Sequence, residues 1–119
     1  MKFSNDKPIY LQLADFMLEH ILSGDWPPEE RVPSVREMAV NAQVTPNTMM
    51  RAFNFLMDNE IIYTQRGIGY FVAKDGYEKA LVLKRKEFLK HTLPEVFKMM
   101  KLLKIDLSEL EALYAEHVA

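Results

Sequence analysis

Arg31-Val32-Pro33-Ser34-Val35-Arg36-Glu37-Met38-Ala39, followed after a short gap by Val44-Thr45-Pro46-Asn47-Thr48-Met49-Met50-Arg51-Ala52-Phe53, decides how this chain folds. Ser34 follows a proline and stands three residues before Glu37. That is the spacing of a capping box, so a helix is predicted to start at Ser34. Val35, Met38 and Ala39 then fall at helical spacing, and Asn41 to Val44 forms a short turn. Thr45 is a capping residue, and Pro46 suits a first helical position, where no backbone donor is needed. Met49, Ala52, Phe53 and Leu56 recur at three and four residues, which predicts one buried face. Asn47, Thr48, Met50, Arg51 and Asn54 then face outward. A short helix, a tight turn and a second helix with a polar, singly basic face fit a helix-turn-helix DNA reader. The same spacing fits a plain helical hairpin in a small core, and the downstream sequence separates the two.

Ile61-Ile62-Tyr63-Thr64-Gln65 and Tyr70-Phe71-Val72 are β-rich runs around Arg66-Gly67-Ile68-Gly69, which predicts a hairpin. A hairpin in this place is a wing, with Arg66 at its tip and glycines that let the backbone come close to a partner. Upstream, a helix from about Pro8 to Leu22 is expected, capped by Asn5 or Asp6. Ile9, Leu13, Phe16, Met17, His20 and Ile21 form its inner side. Gly24 ends it, and Asp25-Trp26-Pro27-Pro28 forms a stiff connector with Trp26 as its core plug. Residues 1–75 are thus expected to form a winged helix-turn-helix domain.

Lys74-Asp75-Gly76 marks a boundary, and residues 76–119 read as a helical tail. Helices are expected from Tyr77 to Lys90, from Leu93 to about Leu103 behind a Thr92–Glu95 capping box, and from Asp106 or Ser108 onward. The middle helix is apolar over most of its circumference, so it needs cover on more than one side. Roughly 40 residues build no large core of their own. The economical solution is pairing with a second copy, as a reader of two half-sites requires. Leu81, Phe88, Leu93, Val96, Phe97, Met100, Leu103 and Leu110 are the candidate dimerisation residues. A methionine-lined small-molecule pocket is the alternative use of that face. Lys84-Arg85-Lys86 reads as a solvated face, with a place flanking DNA as the alternative. The fold class is mainly α with a small β-hairpin: a winged helix-turn-helix domain plus a short C-terminal helical dimerisation element.

With 119 residues and 49% hydrophobic content, one modest domain and an accessory element fit the chain. The absence of cysteine excludes disulfides, thiolate zinc sites and cysteine nucleophiles. No apolar run reaches the ~20 residues of a membrane span, and Met1 to Lys7 lacks a signal-peptide core. A cytoplasmic protein with no membrane partner is expected. His20, His91 and His117 form no catalytic pattern with serine, and no glycine-rich phosphate loop occurs. Glu87 and His91, four residues apart, read as a helix-surface pair and not as metal ligands. No enzyme activity, metal or cofactor is expected.

The net charge of −2 gives no general attraction to DNA. Up to Ala73 there are six basic and nine acidic residues, and beyond it nine and eight. The first segment's four arginines, Arg31, Arg36, Arg51 and Arg66, all lie in or beside the reader. Such a distribution predicts weak non-specific binding and a modest salt slope.

Taken together these residues resemble the GntR family of transcription regulators, and most of all its short YtrA-type subfamily. The resemblance is carried by Pro8-Ile9-Tyr10-Leu11-Gln12-Leu13, Ile21-Leu22-Ser23-Gly24, Val32 to Ala39, Val44 to Thr48 and Arg66 to Val72, in the family's order and spacing. The short tail with Leu93-Pro94 is similar as well. The resemblance implies that Arg36 meets phosphate or base, Thr48 a phosphate and Asn47 base edges. Gly67 and Gly69 would shape a wing that approaches the minor groove. Departures are Pro46, where many members have arginine, and Met50, where some have a basic residue. Glu29 replaces a common glycine, and Ile68 and Tyr70 replace a common lysine and threonine. The candidate DNA-binding residues are Arg31, Ser34, Arg36, Thr45, Pro46, Asn47, Thr48, Arg51, Arg66, Gly67 and Gly69. Double-stranded DNA and a second copy of the chain are the expected partners. Repression at an inverted-repeat operator is the expected activity. The alternatives are a winged-helix module that binds protein, or a ligand-sensing variant with a small-molecule effector in the tail.

Overall fold

Pro8 opens the first helix of the computed structural model, which describes residues 1–119, without the expected Asn5 or Asp6 cap. The Pro8 carbonyl takes the first N–H groups, from Leu11 at 3.1 Å and Gln12 at 3.2 Å, and α1 runs Ile9–Leu22. Gln12 ties down the preceding arm. Its amide accepts the Ser4 N–H at 2.9 Å and donates to the Ser4 and Lys7 carbonyls, both at 2.8 Å. The buried stripe of α1 is Leu13, Ala14, Met17, Leu18 and Ile21. Compared with expectation the face is rotated, for Ile9 and Phe16 are 44% and 40% exposed and His20 is half-buried. Ala14 and Leu18 close the stripe at helical spacing, which turns Ile9, Phe16 and His20 to its flank. Trp26 is half-buried and stacks on His20 at 4.8 Å, a partial plug only.

The capping box at Ser34 forms. Ser34 Oγ accepts the Glu37 N–H at 3.1 Å, and the Glu37 carboxylate accepts the Ser34 N–H at 3.4 Å. Helix α2 (Val35–Ala42) follows and stops at Gln43, whose φ of 58° lies in the left-handed region. Thr45 Oγ1 accepts the Thr48 N–H at 3.3 Å and starts α3 (Pro46–Asp58), with Pro46 in its first turn. Met49, Ala52, Phe53 and Leu56 are all buried, as their spacing requires. Both α1 and α2 pack on α3.

Strands β1 (Ile62–Gln65) and β2 (Gly69–Val72) pair antiparallel, with Ile62 opposite Val72 and Gln65 opposite Gly69. Ile61, assigned to the first strand by its composition, is fully buried just before it. Its N–H closes the end of α3 on the Leu56 carbonyl at 2.9 Å. The other edge of β2 is taken by the segment before α2, which pattern did not reveal. Glu29 and Val32 donate to the Val72 and Tyr70 carbonyls at 2.7 and 2.9 Å, and Val72 donates to Glu30 at 3.0 Å. Arg31 pairs with Phe71 as an isolated bridge.

The chain divides into two compact units, Met1–Val82 and Leu83–Ala119. Helix α4 (Gly76–Glu87) begins in the first unit. Gly76 is buried, and a Cβ there would lie 2.6 Å from the Ile61 carbonyl oxygen, so only glycine permits this approach. In the second unit the helix widens into a π turn at Phe88–Thr92 and continues as α5 (Leu93–Leu103). The expected Thr92–Glu95 capping box is absent, since Thr92 is itself helical and caps nothing. Pro94 has no N–H and its ring crowds the carbonyl four residues back. Widening lets the Leu93 N–H reach the Phe88 carbonyl, so the helix swells where it was expected to break. Asp106 caps α6 (Leu107–Val118) by accepting the Glu109 N–H at 2.9 Å. No residue of α5 or α6 is buried: Phe97 is 52% and Leu103 61% exposed.

Candidate nucleic-acid interface

The amino end of α3 is the centre of the candidate surface. Asn47 is exposed on its first turn, Thr48 is half-buried, and their backbone groups stand at the positive end of a 13-residue helix. Thr45 and Thr48 hydroxyl oxygens lie 3.0 Å apart, and Thr45 also holds the Thr48 N–H. Pro46 is exposed between them and offers no donor. Ser34 is half-buried and its oxygen serves the α2 cap, which leaves its O–H as the group free to donate outward. Arg36 is exposed in the first turn of α2, next to Glu37, whose carboxylate accepts the Ser34 N–H.

Two tyrosines fix what sits on the outer side of α3. The Arg51 guanidinium lies 4.2 Å from the centre of the Tyr10 ring of α1, a cation–π contact that holds the arginine in place. The Tyr70 hydroxyl of β2 donates to Met50 Sδ at 3.7 Å. Its ring meets Phe53 edge-on at 4.9 Å. The wing is therefore braced on the reader helix next to Arg51. In the sequence Tyr10 is legible only as part of a family motif, and Tyr70 only as a strand residue and a departure from the family's wing. Neither contact has a local signal, since each joins residues far apart in the chain.

The wing itself presents Arg66 at an exposed tip, followed by Gly67 at φ 79°. Gly69 matters for a different reason. A Cβ there would lie 2.7 Å from Arg31 Nε, so glycine makes room for the Arg31 side chain along the wing. Arg31, exposed and joined to β2 through its backbone bridge, thereby belongs to the same surface as Gly69. Arg51, Asn47 and Thr48 on α3 and Arg31 and Arg66 along the wing are all exposed or half-buried. This set of side chains suits a polyanion bearing base edges.

The other candidate sites are simpler. No three histidine or acidic side chains converge on a metal-sized point, and Glu87 faces Lys84 at 3.6 Å. Lys79 bridges Glu60 at 2.8 Å and Asp75 at 3.2 Å, and its hydrogen bond to Glu60 holds its pKa above the ordinary lysine value. No helix is long and apolar enough to cross a membrane. In the tail, Leu81, Phe88, Val96, Phe97 and Leu103 are exposed, while Leu93, Met100 and Leu110 are half-buried.

The family described as bacterial regulatory proteins, gntR family, matches residues 9–72. The HTH-type transcriptional repressor YtrA of Bacillus subtilis is 38% identical over 68 residues, 57% of this chain and 52% of YtrA. The chain spans about half to three fifths of such curated relatives. A GntR family transcriptional regulator from Listeria monocytogenes has the same fold, with TM-score 0.76 and 29% identity over 96% of this chain and 98% of that one. The AraR(DBD), solved in complex with operator ORX1, matches with TM-score 0.57 and 25% identity over 60% of this chain and 93% of that one. A winged helix-turn-helix braced at α3, together with the family match over residues 9–72 and the similarity to YtrA, shows that the chain belongs to the gntR family of bacterial regulatory proteins.

Proposed function

We propose that the protein is a repressor that binds an inverted-repeat operator as a homodimer in the cytoplasm. Residues 1–75 read the DNA and residues 76–119 hold the two copies together. The observation that carries this reading is the joint of α3 and the wing through Tyr70, with Asn47, Thr48 and Arg51 on α3 and Arg31 and Arg66 along the wing exposed or half-exposed. Asn47 pairs naturally with adenine, and Thr48 at a helix amino end suits phosphate. Arg36 supplies a charge-assisted donor worth ~1–3 kcal/mol if it grips a base in bidentate fashion. Exposed apolar residues on α5 and α6 supply the material for pairing.

Selection of bound duplexes from a random pool, repeated with Arg36→Ala, tests the whole reading. An enriched inverted repeat with half-sites about one helical turn apart, bound less tightly by a folded Arg36→Ala protein, is the expected result. No enrichment by a folded dimer would sink the proposal in favour of a protein-binding winged helix. Undiminished affinity in the variant would remove Arg36 from the contact.

A further inference from the structure

The winged-helix unit contains a cavity of about 440 Å³ on the side of the helix-turn-helix that carries α1 and the connector. Its floor includes Leu13, Met38 and Met49, all buried in the core. Its wall is aromatic. Phe16 meets His20 edge-on at 4.6 Å, and His20 stacks on Trp26 at 4.8 Å with an interplanar angle of 13°. The volume lies in the range of small-ligand sites, and a flat aromatic wall over methionines accepts a planar apolar body.

Asn41 and His20 are polar side chains of the lining, and the histidine gives the cavity a preference. Asp25 Oδ2 lies 3.0 Å from His20 Nδ1. An ionised carboxylate only accepts, so in the neutral ring Nδ1 carries the hydrogen and Nε2 is left as a lone-pair acceptor. No aspartate, glutamate, lysine or arginine side chain lines the space, which disfavours an ionised ligand. We infer that this cavity binds a small, neutral, planar aromatic molecule bearing one N–H or O–H donor, of the indole or phenol class. The donor bonds to His20 Nε2 and the ring lies against the Phe16–His20–Trp26 wall. Met38 of α2 and Met49 of α3 both line the site, so an occupant touches each helix of the reader. This inference stands apart from the DNA reading, since binding is measured without DNA.

Titration of the full chain, labelled with ¹³C at the methionine methyls, is the test, with indole as probe and naphthalene as the donor-free control. Saturable shifts at the Met38 and Met49 methyls are expected for indole. His20→Phe keeps an aromatic wall but removes the acceptor, and should weaken indole at least fivefold while leaving naphthalene unchanged. Ala42→Leu fills the cavity and should abolish both. Should Ala42→Leu fail to fold, His20→Phe decides, since His20 is only half-buried. Absence of saturable shifts up to the solubility limit overturns the site. Shifts that neither variant changes place the probe elsewhere and overturn it equally. Parallel loss of indole and naphthalene in His20→Phe overturns the assigned ligand class.

Discussion

Tyr70 of the wing donates its hydroxyl hydrogen to Met50 Sδ on the reader helix at 3.7 Å, and its ring packs on Phe53 at 4.9 Å. By the family resemblance Tyr70 replaces a common threonine and Met50 stands where some members have a basic residue, and the two touch each other. Two separate departures thus form one joint between wing and helix. The ring carries most of the interaction, because a thioether is a weak acceptor while an edge-on aromatic pair is worth ~0.5–1.5 kcal/mol beyond its buried area. Tyr70→Ala should lower stability by about 2–3 kcal/mol and Tyr70→Phe by less than about 1 kcal/mol, read as urea midpoints. Equal losses would show that the hydroxyl, not the ring, holds the wing.

The guanidinium of Arg51 rests on the Tyr10 ring at 4.2 Å. A partly exposed contact of this kind is worth ~0.5–1 kcal/mol, so Tyr10→Leu should weaken operator binding about two- to fivefold. Tyr10→Phe, which keeps the ring face, should bind like the parent. In the Arg51→Ala background Tyr10→Leu should add little further loss. Additive losses would mean that Tyr10 does not act through Arg51.

Glu29 holds a φ of 67° while its N–H donates to the Val72 carbonyl at 2.7 Å. The hydrogen bond fixes the segment against β2, and the side chain bears the strain of a left-handed backbone. Glu29→Gly should therefore stabilise the fold by roughly 0.5–1 kcal/mol, after allowing for the extra freedom of an unfolded glycine. Glu29→Val should destabilise it, since a branched side chain fits that region worst. Thermal melts of the three proteins give the order directly, and a glycine variant less stable than the parent contradicts the strain argument.

What the sequence revealed was what short-range chemistry writes into it. Ser34 with Glu37, Thr45 with Pro46, and the spacing of Met49, Ala52, Phe53 and Leu56 each specify structure within one or two helical turns. The α1 stripe was read one flank off, because Ile9 and Phe16 are apolar yet exposed. The pairing of Glu29 to Val32 with β2 was hidden, since Glu29-Glu30-Arg31 has no strand signature and the bond pattern is set by tertiary packing. Thr92 and Glu95 have capping-box spacing, but Pro94 was absorbed by a wider turn and the helix went on. For the interface, the residue types were legible while the supports were not. Tyr10 under Arg51 and Gly69 beneath Arg31 join distant parts of the chain.

Asp106 accepts the Glu109 N–H and the Ser108 hydroxyl, both at 2.9 Å, and these bonds hold its carboxyl below the ordinary aspartate value. A lowered folded-state value means that the cap's stabilisation is fully present above the unfolded aspartate value, about 4. It is lost as pH falls through the folded value. Helicity of the parent at pH 6 should exceed that of Asp106→Ala, and the gap should close as pH falls below about 4. A gap that persists at pH 2 would show that the charge is not what caps α6.

Phe97 is 52% exposed on α5 and Leu103 61%, while Tyr114 on α6 is 68% exposed. A single copy thus leaves large apolar side chains in water along both tail helices, and the proposed pairing would remove them. A charge in such a patch is costly only in the paired state, because the side chain is solvated in the lone chain. Phe97→Glu should leave the winged-helix unit folded while weakening self-association by ~2 kcal/mol or more, about thirtyfold. Sedimentation should show a parent dimer and a variant displaced toward monomer at the same concentration. Operator affinity should fall with it, because each copy then holds one half-site without its neighbour. Glu111→Ala, a charged and exposed position on α6, serves as the control and should change neither reading. A parent that sediments as a monomer at micromolar concentration, or a Phe97→Glu dimer as tight as the parent, would remove this face from the interface.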